Sequence, residues 1–327
     1  MTTTRHRDVL VLSGGASRGA VQIGMVQALL ESGVRPAAYV GTSVGALNAT
    51  FLGSHDGPDA GEQLARRWRG IDTREVFAVG HGTRRGHLAR HPAPLCAADG
   101  VARLVRRWAP YVRLEDLPVP VRVVTTRLDS GVAVYHDRGD LLDVLLASTA
   151  LPGVFDPVRL ADPTSGWQVP HVDGGLADLV PVAGARALAP TRVWVLDATV
   201  PTRIERVRSP LDALLAGLAE SLRVRPAVDL GDIEVHHLTA PDLGVRMHDF
   251  RRTEEHITLG RASVAAALAG PADQVEPVAV PVEAPVTGPA APVAPQRPEP
   301  VAVPVEAPVT GPAAPVAPQR PEPSVAA

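Results

Sequence analysis

Near the N-terminus the run Asp8-Val9-Leu10-Val11-Leu12 is short and continuously apolar behind its first residue. A strand with no polar face must be covered on both sides, and a parallel sheet with a helix layer on each face is the arrangement that does this. The next forty residues fit the same plan. Ser13-Gly14-Gly15-Ala16-Ser17-Arg18-Gly19 reads as a loop. Ile23, Val26 and Leu30 then recur at i, i+3 and i+7, with Leu29 widening the stripe, which predicts a helix ended by Gly33. A second short strand runs to Ser43, so the chain opens as strand, loop, helix, strand, sharp turn, helix.

That sharp turn is Gly41-Thr42-Ser43-Val44-Gly45, a Gly-x-Ser-x-Gly pentapeptide. The pentapeptide alone is common. Its context, Ala37–Val40 as a buried strand and Ala46–Leu52 as a helix, is what a nucleophile elbow requires, with the serine hydroxyl exposed at the apex beside a helix N-terminus. Gly41 and Gly45 let backbone and substrate approach where a Cβ would collide.

Further along, Glu62–Arg69 and Val101–Trp108 read as helices. The Arg-, His- and Gly-rich stretch His81–Pro94 between them reads as a solvated loop, with a cap or lid over the site mouth, within residues 54–118, as the alternative. Val119–Thr126 and Gly131–His136 are two strands joined by a turn at Leu128–Gly131. Asp140–Ser148 is a helix terminated by Pro152 and Gly153, Val169–Val172 a strand ending at Asp173, Pro181–Leu188 a helix and Val193–Leu196 another buried strand. Leu211–Leu222 and Thr253–Leu268 are helices flanking a strand at Ile233–Leu238. The expected architecture is a three-layer α/β/α domain with a mainly parallel sheet over residues 1–270.

Residues 271–327 are different: they hold 16 of the 33 prolines. Glu276–Pro298 and Glu299–Pro321 are identical 23-residue copies. Proline this dense removes backbone donors from helix and sheet alike, so the segment reads as a disordered, extended spacer; a proline-motif docking tail for a partner the sequence does not name is the alternative.

Charge and cysteine usage exclude several function classes. The net charge is −3, and residues 1–270 balance 30 arginines against 29 acids, so no basic surface argues for nucleic acid. Every basic residue is Arg; without lysine there is no P-loop and no Schiff base. Cys96 is the single cysteine, which excludes an intrachain disulfide and a cysteine-rich metal site. The polar N-terminus lacks an apolar leader and no run reaches the ~18 apolar residues of a membrane span, so the expectation is a cytoplasmic chain. An aromatic content of 3% offers few interfacial anchors.

A serine nucleophile needs a base and donors for the developing oxyanion. The Gly14–Gly19 loop offers backbone N–H groups next to a helix N-terminus. Ala16 breaks a G-x-G-x-x-G phosphate fingerprint, so an oxyanion is preferred to a nucleotide. For the base, the serine comes after only the second strand, too early for the Ser–acid–His order of the α/β-hydrolase fold. His236, His237, His248 and His256 stand in no motif. Asp173, at a strand end and followed by Gly174 and Gly175, can act directly if burial raises its pKa; Asp-Gly-Gly is also an ordinary turn. A serine triad with His171 as base stays open as a third reading.

Three blocks in this order, Gly14-Gly15-Ala16-Ser17-Arg18-Gly19, Gly41-Thr42-Ser43-Val44-Gly45 and Asp173-Gly174-Gly175, resemble the patatin-like phospholipase family. Ala147–Phe155 is similar to the family's segment before its last catalytic strand, and Asp249–Gly260 to the C-terminal helix of bacterial members. The resemblance covers residues 8–268. It implies a lipolytic serine acyl hydrolase with Ser43 as nucleophile and Asp173 as base. The backbone of Gly14, Gly15 and Ala16 would form the oxyanion hole, with Arg18 steadying the loop. It also implies no metal or other cofactor, a phospholipid or other lipid ester as substrate and peripheral contact with a membrane. A catalytically weak lipid-binding or regulatory module, or a general esterase, is the alternative. Two positions depart from the family pattern: Ala16 where a third glycine is usual, and Leu179 where an asparagine usually stands two before the proline.

Overall fold

The computed structural model describes residues 6–77, 96–199, 228, 230–241, 243 and 249–269. The chain parts into two units, Met1–Pro281 and Val282–Ala327. The second unit, the expected boundary at 270/271, the helix expected at Leu211–Leu222 and the loop His81–Pro94 all lie outside the described residues.

Among the described residues eight strands form one mixed, mostly parallel sheet. They are β1 (Asp8–Leu12), β2 (Pro36–Thr42), β3 (Val121–Arg127), β4 (Ala133–His136), β5 (Val158–Ala161), β6 (Gln168–Asp173), β7 (Arg192–Asp197) and β8 (Glu234–Thr239). The helices among the described residues are α1 (Ala20–Glu31), α2 (Val44–Ser54), α3 (Ala60–Arg69), α4 (Thr73–Val76), α5 (Asp99–Trp108), α6 (Leu141–Ser148) and α7 (Thr253–Ala269). The order across the sheet is β5-β6-β3-β2-β1-β7-β8, with β4 also paired to β3.

The run at β1 is buried throughout, and its period-two alternation divides it between two cores. Leu10 and Leu12, with Trp194, Leu196 and Val123, face a large core shared with α1, α2, α3, α5 and α6. Val9 and Val11, with Val40, Val124, Val193 and Val195, face a smaller one closed by Ala185 and Leu230. On the larger face α1 and α7 approach backbone to backbone. A Cβ on Gly24 would stand 1.9 Å from the Ile257 carbonyl, and one on Gly260 would stand 2.0 Å from that of Val21. Only glycine permits that crossing.

One expectation is corrected, and two features lie beyond what the sequence predicts. Pro181–Leu188 is not an α-helix but a 3-10 stretch over Val182–Leu188; a Gly184 side chain would collide with Tyr135 and Val40, so this segment lies flat on the sheet. The half-exposed four-residue β5 and the one-turn α4, capped by the Asp72 side chain, were not foreseen. And the strand that ends at Asp173 is antiparallel to its neighbour.

This last point positions the site. β2 pairs in parallel with Val121–Val124 of β3, while β6 pairs antiparallel with Thr125–Arg127. β4 overlaps both ranges, covering Val123–Thr126, and so must occupy the opposite edge of β3. β2 and β6 therefore run toward each other along one edge of β3. They stop face to face, Thr42 opposite Val124 and Asp173 opposite Thr125.

Candidate active site

Ser43 stands at the end of β2 with φ 55° and ψ −124°, a conformation that side-chain-bearing residues avoid. The neighbours force it. A Cβ on Gly41 would lie 2.4 Å from the Gly45 carbonyl oxygen, and one on Gly45 would lie 2.3 Å from that of Leu12. The two glycines thus let α2 turn straight back over β1 and β2. The Ser43 N–H donates to Ser148 Oγ at 3.0 Å, and the Ser148 hydroxyl donates to the Val124 carbonyl at 2.7 Å. The last residue of α6 thereby ties the elbow to β3.

Ser43 Oγ donates to Asp173 Oδ2 at 2.7 Å. The other carboxylate oxygen accepts the Gly175 N–H at 2.8 Å. The Asp173 backbone is pinned from both sides, its N–H to Ala150 and its carbonyl to Thr126 Oγ1. Gly174 fits because a Cβ there would meet the Val124 carbonyl at 2.4 Å. Burial raises the Asp173 pKa to about 6, against the opposing pull of the hydrogen bonds from Ser43 and Gly175. The result is a carboxylate basic enough to take a proton near neutrality, in contact with a hydroxyl at a helix N-terminus.

The glycine loop lies next to this pair, a Cβ on Gly14 coming 3.5 Å from that of Ser43. One expectation fails here. The Gly14 N–H is committed to the Leu179 carbonyl at 2.9 Å, so it is no oxyanion donor. Leu179 fills the space over the loop, and its Cδ1 would meet a Cβ on either Gly14 or Gly175. The N–H groups of Gly15 and Ala16 make no hydrogen bond to a described residue, and these are the two donors left. Ala16 adopts φ 51°, left-handed backbone that glycine takes freely and alanine takes at a cost of about 1–2 kcal/mol. Arg18 Nε donates to the Gly15 carbonyl at 3.3 Å, bracing the turn. Gly19 leaves room for Val44 and Trp68.

Several supporting residues escaped the sequence reading. Gln22 Nε2 donates to the carbonyls of Ser13 and Leu196, and its Oε1 accepts from Asn48 Nδ2. Asn48 also donates to Gly19 and accepts from Trp68 Nε1. The side chains of Ser13, Gln22, Asn48 and Trp68 are all buried. The chain of amides runs from α3 through α2 and α1 to the start of the glycine loop. The available signal was an amide at a core-facing position of an otherwise apolar helix. On the other side Thr42 Oγ1 donates to the Asp178 carbonyl, and the Tyr135 hydroxyl donates to the Asp178 carboxylate. These bonds hold the segment that carries Leu179.

His171 is not at the serine. Its Nδ1 meets Thr125 Oγ1 at 2.8 Å, the same hydroxyl that His136 Nε2 meets at 2.7 Å. Burial lowers the pKa of both rings. Among the described residues no three or more His, Cys, Asp or Glu side chains gather as a metal site would need. Among them, too, no helix is long and apolar enough to cross a membrane.

Comparison with known proteins gives the family. Residues 10–186 match the family model described as patatin-like phospholipase. Mouse patatin-like phospholipase domain-containing protein 6 is 29% identical over 194 residues, covering 59% of this chain and 14% of that protein. An uncharacterized NTE family protein of Mycobacterium tuberculosis is 29% identical over 184 residues, 55% of this chain and 47% of its own length. The chain thus spans less than half the length of these relatives. Among solved structures, VipD from Legionella pneumophila aligns with a TM-score of 0.40 and 15% identity, over 80% of this chain and 66% of that one. The type III effector ExoU aligns with a TM-score of 0.38 and 17% identity, over 80% and 53%. With more than half of its 327 residues matched by the family model, the chain belongs to the patatin-like phospholipase family.

Proposed function

We propose that the protein is a lipolytic serine hydrolase that cleaves carboxylic esters of phospholipids or lysolipids through an acyl-serine intermediate. The observation that carries this reading is the 2.7 Å contact between Ser43 Oγ, on a strained elbow, and a buried Asp173 carboxylate. Asp173 takes the hydroxyl proton as Ser43 attacks the ester carbonyl. The N–H groups of Gly15 and Ala16 receive the oxyanion; one such donor is typically worth ~10²–10³ in rate. Protonated Asp173 then returns its proton to the departing alcohol oxygen. Water attacks the acyl-serine with Asp173 again as base, releasing the fatty acid and restoring Ser43.

The family supports the lipid substrate class; the serine chemistry rests on the dyad geometry. An active-site-directed fluorophosphonate probe tests it. Wild type should label and Ser43→Ala should not, and Asp173→Asn should fold yet turn over short- and long-chain esters poorly. Equal labelling of wild type and Ser43→Ala would refute it. Lipid binding by a folded wild type that hydrolyses no ester in a broad panel would establish the non-catalytic binding module instead.

A further inference from the structure

Four tryptophans are present, and three are core residues: Trp68, Trp108 and Trp194 are 1%, 5% and 3% exposed. Trp167 is 76% exposed. It sits in the turn between β5 and β6. The neighbouring turn, between β3 and β4, carries Leu128 at 52% and Val132 at 56%. The two turns are one structural unit. The Leu128 N–H donates to the Pro170 carbonyl and the Arg127 N–H to that of Val132. The Arg127 side chain bonds Asp129 and Asp162, and the Asp162 N–H donates to the Trp167 carbonyl. Trp167 is therefore held out on a braced hairpin.

The register gives the direction. Leu128 lies four residues beyond Val124, the partner of Thr42, so it stands roughly 13 Å past the elbow along β3. β6 is antiparallel, and Trp167, six residues before Asp173, lies out in the same direction. Both tips project beyond the end of the sheet at which Ser43 and Asp173 meet. Their charges cancel locally: Arg127 and Arg159 stand against Asp129 and Asp162, with Arg127 paired to both acids. A strongly acidic or basic partner gains nothing from such a rim. A zwitterionic lipid surface, with no net charge of its own, accepts it, and an exposed Trp among aliphatics suits the headgroup boundary.

We infer that the β3–β4 and β5–β6 turns, through Leu128, Val132 and Trp167, dock the protein on a zwitterionic bilayer with the Ser43–Asp173 end of the sheet toward the lipid. This deepens the lipolytic reading, on which it rests for its purpose, and names the surface by which substrate is approached.

The test uses the full chain and phosphatidylcholine vesicles. Since the other three tryptophans are buried, added vesicles should shift the Trp167 emission to the blue, and brominated acyl chains should quench it. Trp167→Ser should lower the vesicle partition coefficient about tenfold, the worth of one large apolar side chain, and Leu128→Ser with Val132→Ser should do the same. All three should leave hydrolysis of a water-soluble short-chain ester unchanged. Ser43→Ala should bind vesicles like wild type. An unshifted emission in a wild type active on soluble esters overturns the docking surface and leaves the catalytic reading intact. Normal docking without any ester hydrolysis does the reverse. Binding seen only on anionic vesicles and indifferent to Trp167→Ser overturns it in favour of an arginine surface. Loss of self-association in Trp167→Ser without loss of vesicle binding assigns the patch to a second copy of the chain and overturns it too.

Discussion

Replacing Asp173, the proposed base, should make the folded protein more stable, and the gain should depend on pH. Asp173 titrates in the folded state near 6, against 3.8 for the unperturbed carboxylate, because burial disfavours its charge. The folded protein thus holds this proton more tightly than the unfolded chain does. Stability falls as pH rises from about 4 to about 6 and stays low above that. At about 1.36 kcal/mol per pKa unit, the ionised group costs about 3 kcal/mol at pH 8 and roughly half that at pH 5. Asparagine removes the charge while keeping both contacts. Its carbonyl can accept the Gly175 N–H, and its amide can donate to Ser43 Oγ once the hydroxyl turns. Asp173→Asn should therefore raise the midpoint of thermal unfolding at pH 8 by about 5–10 °C. The advantage over wild type should shrink by about 1.4 kcal/mol between pH 8 and pH 5. Calorimetry or urea unfolding of both proteins at the two pH values measures this. A variant less stable than wild type at pH 8, or a difference that ignores pH, would refute the assignment of a desolvated carboxylate at this position.

The same ionisation should govern rate: kcat/KM on a soluble ester should fall about tenfold per pH unit below pH 6 and level off above it, and a flat profile from pH 4.5 to 8 would contradict Asp173 as base. Ala16→Gly relieves left-handed backbone strain at the price of unfolded-chain entropy, and urea unfolding should show a net gain of about 0.5–1 kcal/mol; any loss counts against the strain. Gln22→Leu strands the Ser13 carbonyl and one N–H of the Asn48 amide, the Leu196 carbonyl keeping the Ser13 N–H, and should cost about 2–4 kcal/mol in the same assay, with a cost under about 1 kcal/mol showing the amide chain to be dispensable. His171→Gln should keep most of the activity per folded molecule, since the ring bonds Thr125; abolished turnover would return the triad with His171 as base.

The central sheet was legible because its strands announce themselves locally. Val9–Leu12 and Val193–Leu196 are too apolar and too short to be anything but covered strands, and the pattern around α1 carries its own period. The elbow was legible as well, since Gly41 and Gly45 exist for contacts within one supersecondary unit. What stayed hidden was non-local. Nothing around Asp173 reveals that β6 runs against β3, because direction is set by the hairpin with β5, whose four residues, only Leu160 of them buried, carry no pattern. Nor does Gly14 announce that its N–H is taken: the acceptor is the carbonyl of a residue 165 positions away, and any residue has a carbonyl. Leu179 drew notice as a departure in side chain, yet part of its role is a backbone acceptor that side-chain identity does not encode.

The amide chain shows why a site of this kind can carry strain. Ser43 and Ala16 hold positive φ without being glycine, each a local cost of order 1–3 kcal/mol. Neither conformation could persist if its segment were free to relax. The elbow is fixed by Ser148 on one side and by the packing of Gly45 on Leu12 on the other. The glycine loop is fixed at Ser13, which donates to the Gly14 carbonyl and accepts from Ala198 and, more weakly, Gln22. Gln22 in turn is held by Asn48, in the elbow's own helix. The glycine loop and the Ser43 elbow are thus braced against the same buried side chain, so the spacing between them is set by α1 and α2 as a pair. A substitution at Asn48 should accordingly disturb the loop and the elbow together. Matched losses in fluorophosphonate labelling rate and in stability for Asn48→Leu would bear that out, whereas a variant as stable as wild type with an unchanged labelling rate would show that the two loops are positioned independently.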